Sequence, residues 1–206
     1  MKKIAISMGQ DFLTQRKENR DFIDTKLIEF LKNCYDCDVY LIHNFFNIKS
    51  KKKNNINFFD FLDRHKSNVI ILSGGQNVGQ NILRDKTEVE LINYAIKKKI
   101  KLVGICRGMQ IINLYFKGSL KQIKKHIRTK NKIISSDNKI TKIVKCFHGN
   151  GIKKLGSNLK VLYSSKDGQI EGFINNNKNI LGIMWHPERN KKFKKSDIKL
   201  FKQFLS

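Results

Sequence analysis

Lys101-Leu102-Val103-Gly104-Ile105-Cys106-Arg107-Gly108-Met109-Gln110 is a short apolar run that stops on a cysteine held between two glycines. Residues 101–105 predict a strand, and residues 109–115 predict the helix that follows. A thiol at such a strand-to-helix turn has the logic of a nucleophile elbow. The tight turn tolerates only small neighbours and pushes the side chain out at the carboxyl edge of the sheet. The helix aims its N-terminus at the sulfur, where its partial positive charge suits an anion. The backbone N–H of Arg107 then lies within reach of a developing oxyanion.

Upstream of this segment, Val69-Ile70-Ile71-Leu72 is continuous, apolar and β-branched, as expected of a strand covered on both faces. Residues 3–7 and 39–43 predict further strands. Helical patterns over 21–32, 57–65, 87–99 and 196–205 alternate with them. The resulting β-α-β order predicts an α/β fold with a mostly parallel sheet flanked by helices, in one domain over 1–206. Residues 118–184 break into shorter β-rich segments separated by Asn, Asp and Gly. The charged stretch 49–55 is expected to be a solvated loop.

A thiol nucleophile needs a base, and the base needs an orienting partner. Of the five histidines, His186 stands in Met184-Trp185-His186-Pro187-Glu188-Arg189, with the chain's single Trp and single Pro. Proline biases the preceding residue toward extended backbone. Residues two apart in extended chain face the same side, so Glu188 can hold one imidazole nitrogen while the other faces Cys106. Ser73-Gly74-Gly75 ends the neighbouring buried strand, and the N–H of Gly75 is a natural second oxyanion donor beside Arg107.

Composition narrows the remaining classes. Hydrophobic residues make up 40% of the chain, too many for a disordered polymer. No apolar run is long enough to span a bilayer, and the first residues suit a strand better than a signal peptide. A cytoplasmic protein is expected. The net charge of +25 could attract nucleic acid or a phosphorylated substrate. Its lysines are spread along the chain, without a basic helix or a basic-aromatic stretch, so nucleic acid is the weaker reading. Cys34 and Cys37 form a CxxC with no second ligand pair beside it, which favours structural thiols over zinc.

Leu72-Ser73-Gly74-Gly75, residues 104–110 and Trp185-His186-Pro187-Glu188 resemble, in order and spacing, the class I glutamine amidotransferases. More narrowly, the chain resembles the γ-glutamyl-γ-aminobutyrate hydrolase-like branch. Asn113, Gly118-Ser119-Leu120, Arg84-Asp85 with Glu88, and Asp167-Gly168-Gln169-Ile170-Glu171-Gly172 fit that branch. Within it, the resemblance extends to hydrolases of bacterial capsular phosphoramidate synthesis.

The resemblance implies a flavodoxin-like sheet and cleavage of a γ-glutamyl amide, releasing glutamate and, in the narrowest case, cytidine diphosphoramidate. It implies Cys106 as nucleophile, His186 as base then acid, Glu188 as orienter, and the N–H groups of Gly75 and Arg107 as oxyanion hole. Gln110, with Cys146, Phe147 and His148, would contact the glutamyl group. The segment Cys146-Phe147-His148-Gly149-Asn150-Gly151 departs from the branch's Ser-Phe-His-Asn-Gln-Gly type. The leaving-group side is therefore expected to differ. The partner is a small γ-glutamyl substrate, nucleotide-linked in the narrowest case, and Arg16 and Arg20 in the loop after the first strand could meet its phosphates. No metal or organic cofactor is needed for this chemistry. The oligomeric state is left open. Two other readings remain: a glutaminase feeding ammonia to a separate synthase, and a nucleic-acid-binding or redox-sensing protein in which Cys106 is not catalytic.

Overall fold

The computed structural model describes residues 1–44, 58–177 and 179–206. The stretch 49–55 and the first residue of the helix expected over 57–65 lie outside the described residues. The first half of the chain lays down β1 (Lys2–Ser7), β2 (Gly9–Leu13), β3 (Glu18–Phe22), α1 (Thr25–Cys34), β4 (Cys37–Ile42), α2 (Phe58–Arg64), β5 (Val69–Leu72), α3 (Ile82–Lys98), β6 (Lys101–Ile105) and α4 (Arg107–Tyr115). The second half holds β7 (Ser119–Gln122), β8 (Ile127–Ser135), β9 (Thr141–Phe147), β10 (Asn150–Lys154), β11 (Leu159–Ser165), β12 (Ile170–Asn175), β13 (Ile180–Ile183) and the closing helix α5 (Lys195–Leu205).

The main sheet has nine strands in the order β4-β1-β5-β6-β13-β12-β11-β8-β9. From β4 to β13 every pairing is parallel. Taken in chain order these strands run 2-1-3-4-5, the flavodoxin-like arrangement. From β13 to β9 every pairing is antiparallel, which accounts for the β-rich second half. β10 and β7 form a separate antiparallel pair.

Both faces of the parallel region are covered. The pleat sends Ile4 and Ile6 of β1 to one side, where they meet Leu27, Phe30 and Phe201 from α1 and α5. Ala5 faces the other side, with Leu91 and Met109 from α3 and α4. Burial on both faces explains the unbroken apolar runs of β5 and β6.

Three local differences from the sequence expectation have plain causes. Residues 9–20, expected as a loop, and residues 21–22, expected to open a helix, form the β2–β3 hairpin, registered by backbone pairing from Gly9–Phe22 to Leu13–Glu18. Its mostly polar, exposed residues carry no apolar alternation. The first helix starts at Thr25 rather than at 21, because Asp24 caps it by accepting the N–H of Lys26 at 3.0 Å. α3 starts at Ile82, five residues early, because the side chain of Asn81 accepts the N–H of Arg84 at 3.0 Å. The added turn buries Arg84, which a hydrophobic pattern does not register.

Candidate active site

The site forms where three neighbouring parallel strands end: β5 at Ser73-Gly74-Gly75, β6 at Cys106 and β13 just before His186. Cys106 has φ 52° and ψ −104°, a conformation rare for any residue with a Cβ. Its N–H is held by the carbonyl of Ile183 at 2.7 Å, so the elbow is fixed to β13 from below. The flanking glycines are required by close approach. A Cβ on Gly108 would stand 2.2 Å from the carbonyl oxygen of Leu72. One on Gly104 would stand 2.5 Å from the backbone of Gly108. Neither backbone can yield, so α4 sits hard against β5 and begins directly after Cys106.

His186 lies in extended backbone, φ −107° and ψ 95°, and Pro187 opens a 3-10 turn through Arg189. Its Nδ1 is 2.6 Å from Oε1 of Glu188, and the ring also makes a side-chain hydrogen bond with Cys106. All three side chains are almost completely buried. Burial opposes the imidazolium, but the hydrogen bonds and negative partners at Cys106 and Glu188 outweigh it and raise the His186 pKa to about 9. Trp185, the neighbour on the other side, is pinned by donation of its indole N–H to Asp197 at 3.2 Å.

The glycine turn is held by a buried ionic network. Arg84 donates to the carbonyls of Ser73 and Gly74, each at 2.9 Å, and its Nε is 3.0 Å from Glu88. The guanidinium of Arg107 is clasped by Glu88 and Asp85. Ser7 completes the set by donating to Glu88 at 2.8 Å. Gly75 has φ +146°, and a Cβ there would also meet Arg84. The network therefore fixes the backbone of the glycine turn that ends β5. The Arg107 side chain is taken up by the Glu88 and Asp85 carboxylates.

The other sequence-predicted residues are brought together only in part. Gln110 is buried on α4 and donates to the carbonyl of Asn150 at 3.0 Å. Phe147 stands edge-on to the His186 ring, centroids 5.8 Å apart, with the Arg189 guanidinium 4.9 Å from its centre. Cys146 is fully buried, its thiol 3.9 Å from Glu171, and His148 is buried beside the same carboxylate. Neither side chain faces the cleft bordered by Gly9, Phe22, Gly74 and His186. Arg20 is half-exposed on β3, with its Nε donating to Glu18 at 2.8 Å, and Arg16 is exposed in the hairpin turn. The remaining thiols, Cys34 and Cys37, are buried, and burial pushes Cys34 up to about 12. They are inert packing groups. No residue pattern signals that His126 and Glu171 join Cys146 and His148, since strand pairing alone brings them together.

The Peptidase C26 family matches the chain over residues 67–188. The chain is 37% identical over 149 residues to the γ-glutamyl-CDP-amidate hydrolase of Campylobacter jejuni, covering 69% of this chain and 72% of that one. It is 30% identical over 139 residues to the glutamine-hydrolysing GMP synthase of Tropheryma whipplei, covering 64% of this chain and 27% of that much longer protein. In three dimensions it is similar to a glutamine amidotransferase from Thermotoga maritima, with TM-score 0.64 at 18% identity over 99% of this chain and 84% of the other. No helix among the described residues is long and apolar enough to cross a membrane. Fold and sequence agree: the chain belongs to the Peptidase C26 family of class I glutamine amidotransferase-like, amide-cleaving hydrolases.

Proposed function

We propose that this protein hydrolyses a γ-glutamyl amide whose leaving group carries phosphates, of the γ-glutamyl-CDP-amidate kind, in the modification of a capsule polysaccharide. The observation that carries this is the 37% identity to the Campylobacter hydrolase across both chains' larger part. The site geometry supports the route. Cys106 attacks the γ-carbonyl, and the N–H groups of Gly75 and Arg107 receive the oxyanion. His186, held by Glu188, protonates the departing amine. Water then cleaves the γ-glutamyl thioester, with the imidazole acting as base. Gln110, Phe147 and the backbone around Cys146 and His148 contact the glutamyl group. Arg16, exposed in the hairpin turn, meets the phosphates more readily than Arg20, which is engaged by Glu18. The positive charge of the chain concentrates an anionic substrate.

The test is kcat/KM for free glutamine, γ-glutamyl-γ-aminobutyrate and γ-glutamyl-CDP-amidate at low and high ionic strength. The expected result is a strong preference for the last, weakened by salt. Equal values, or a preference for glutamine, would overturn the phosphate-bearing substrate. The GMP synthase likeness supports a second reading, ammonia supply to a separate synthase. A glutamine preference that grows when a second protein is added would favour it.

A further inference from the structure

Below the site, three antiparallel strands bring together four buried side chains that the proposed reaction does not use. His126 precedes β8, Cys146 lies on β9, His148 follows it, and Glu171 lies on β12. One ligand atom from each falls within 4.8 Å of all the others. Cys146 and His148 are two apart along extended chain and so face the same side. The N–H of His148 bonds the carbonyl of His126 at 3.1 Å, which fixes the two rings side by side, centroids 5.0 Å apart.

The hydrogen bonds around the two imidazoles determine what they offer inward. Nδ1 of His148 is 3.1 Å from the carbonyl of Asn150. A carbonyl only accepts, so Nδ1 carries the hydrogen and Nε2 presents a lone pair. Nε2 of His126 is 2.9 Å from the Asp167 carboxylate, and its Nδ1 accepts from Asn131 at 2.8 Å. Both lone pairs face the same atom, Oε1 of Glu171, at 3.0 Å from His126 and 3.5 Å from His148. Lone pairs cannot satisfy a carboxylate oxygen. Accordingly Oε1 of Glu171 and Nε2 of His148 are both buried without a hydrogen-bond partner. Such groups carry a large desolvation cost unless something positive sits between them.

We propose that His126, Cys146, His148 and Glu171 form a site for one divalent cation of the zinc type, separate from the Cys106 centre. Two imidazoles, one thiolate and one carboxylate are the donors that zinc favours. Each imidazole is already oriented from behind, one by a carboxylate and one by a backbone carbonyl, as ligating histidines are. Glu171 and the thiolate together match the ion's charge. Burial first, then the Glu171 carboxylate, holds the Cys146 thiol far above its ordinary range, so without a metal it keeps its proton. On binding, the S–H bond breaks, the proton leaves to solvent and the sulfur bonds the ion; Asn131 gives up its N–H contact with His126. The ion ties the sheet's edge pair, β8 and β9, to β12. The Asn150 carbonyl that orients His148 also accepts from Gln110, so this strut reaches the helix behind Cys106.

The test uses metal-free full-length protein titrated with Co²⁺, and separately with Zn²⁺. One equivalent of Co²⁺ should give a thiolate-to-metal absorption band, displaced by Zn²⁺. Cys146→Ser should lose that band, while Cys106→Ser keeps it. Asp167→Ala should weaken Co²⁺ affinity about ten- to a hundredfold. Zn²⁺ should raise Tm by about 5 °C or more. Absence of the band in the wild type would overturn the proposal. So would a band that Cys106→Ser or His186→Ala abolishes, because the ion would then sit at the catalytic thiol. Those variants keep the test decisive even if Cys146→Ser fails to fold.

Discussion

Nδ1 of His186 stands 2.6 Å from Oε1 of Glu188, two residues along and across the chain's single proline. The pair is buried, and in the proposed reaction the carboxylate would both orient the ring and stabilise the imidazolium that protonates the leaving amine. His186→Ala should reduce kcat for glutamate release about as far as loss of the thiol. Glu188→Gln keeps the shape and a hydrogen bond, and should cost about a hundredfold less. Steady-state kinetics on both variants check this. A silent Glu188→Gln would move the third position of the triad elsewhere.

The partners of His186, Cys106 first and Glu188 second, also predict how stability depends on pH. The His186 pKa is raised from its unfolded value near 6.5 to about 9 in the folded protein. A group whose pKa rises on folding contributes stability that is fully present below the unfolded value and is lost as pH rises through the folded one. Denaturant midpoints should therefore fall between about pH 6.5 and 9 more steeply in the wild type than in His186→Gln. Using the difference removes the titration of other groups. Equal slopes would show that His186 is not held charged by its partners.

Gly74 packs against the His186 ring. A Cβ there would stand 2.4 Å from Cε1 of His186, and the ring would have to move. A displacement near 1 Å in such a site costs on the order of a hundredfold in rate. Gly74→Ala should lose about that much in kcat while its far-ultraviolet circular dichroism stays as in the wild type. Gly108→Ala differs, because the clash is with the Leu72 backbone. It should lower Tm as well as activity, by a thermal melt compared with the Gly74 variant.

What was legible in the sequence was what is local. The elbow shows because α4 packs so tightly on β5 that Gly104 and Gly108 admit no side chain. The parallel strands show because burial on both faces leaves continuous apolar runs at β5 and β6. Pro187 marks the histidine because it shapes two residues at once. The β2–β3 hairpin did not show, since polar exposed strands are held by backbone pairing that carries no residue pattern. Nor did the burial of Arg84 and Arg107, whose charges are matched by Glu88 and Asp85 only after folding. The cluster of His126, Cys146, His148 and Glu171 spans strands far apart in the chain, and only the antiparallel register joins them.

If Cys106 is the nucleophile, a substrate-like electrophile can trap it covalently. Cys106→Ala should lower glutamate release by more than about a hundredfold with the fold intact. That loss alone does not locate the covalent bond. The decisive measurement is intact-protein and peptide mass spectrometry after incubation with a glutamine analogue that carries a diazoketone in place of the amide. One adduct per chain on the peptide containing Cys106, suppressed by the γ-glutamyl substrate and absent from Cys106→Ala, is the predicted result. An adduct on Cys34, Cys37 or Cys146 with Cys106 unmodified would contradict it.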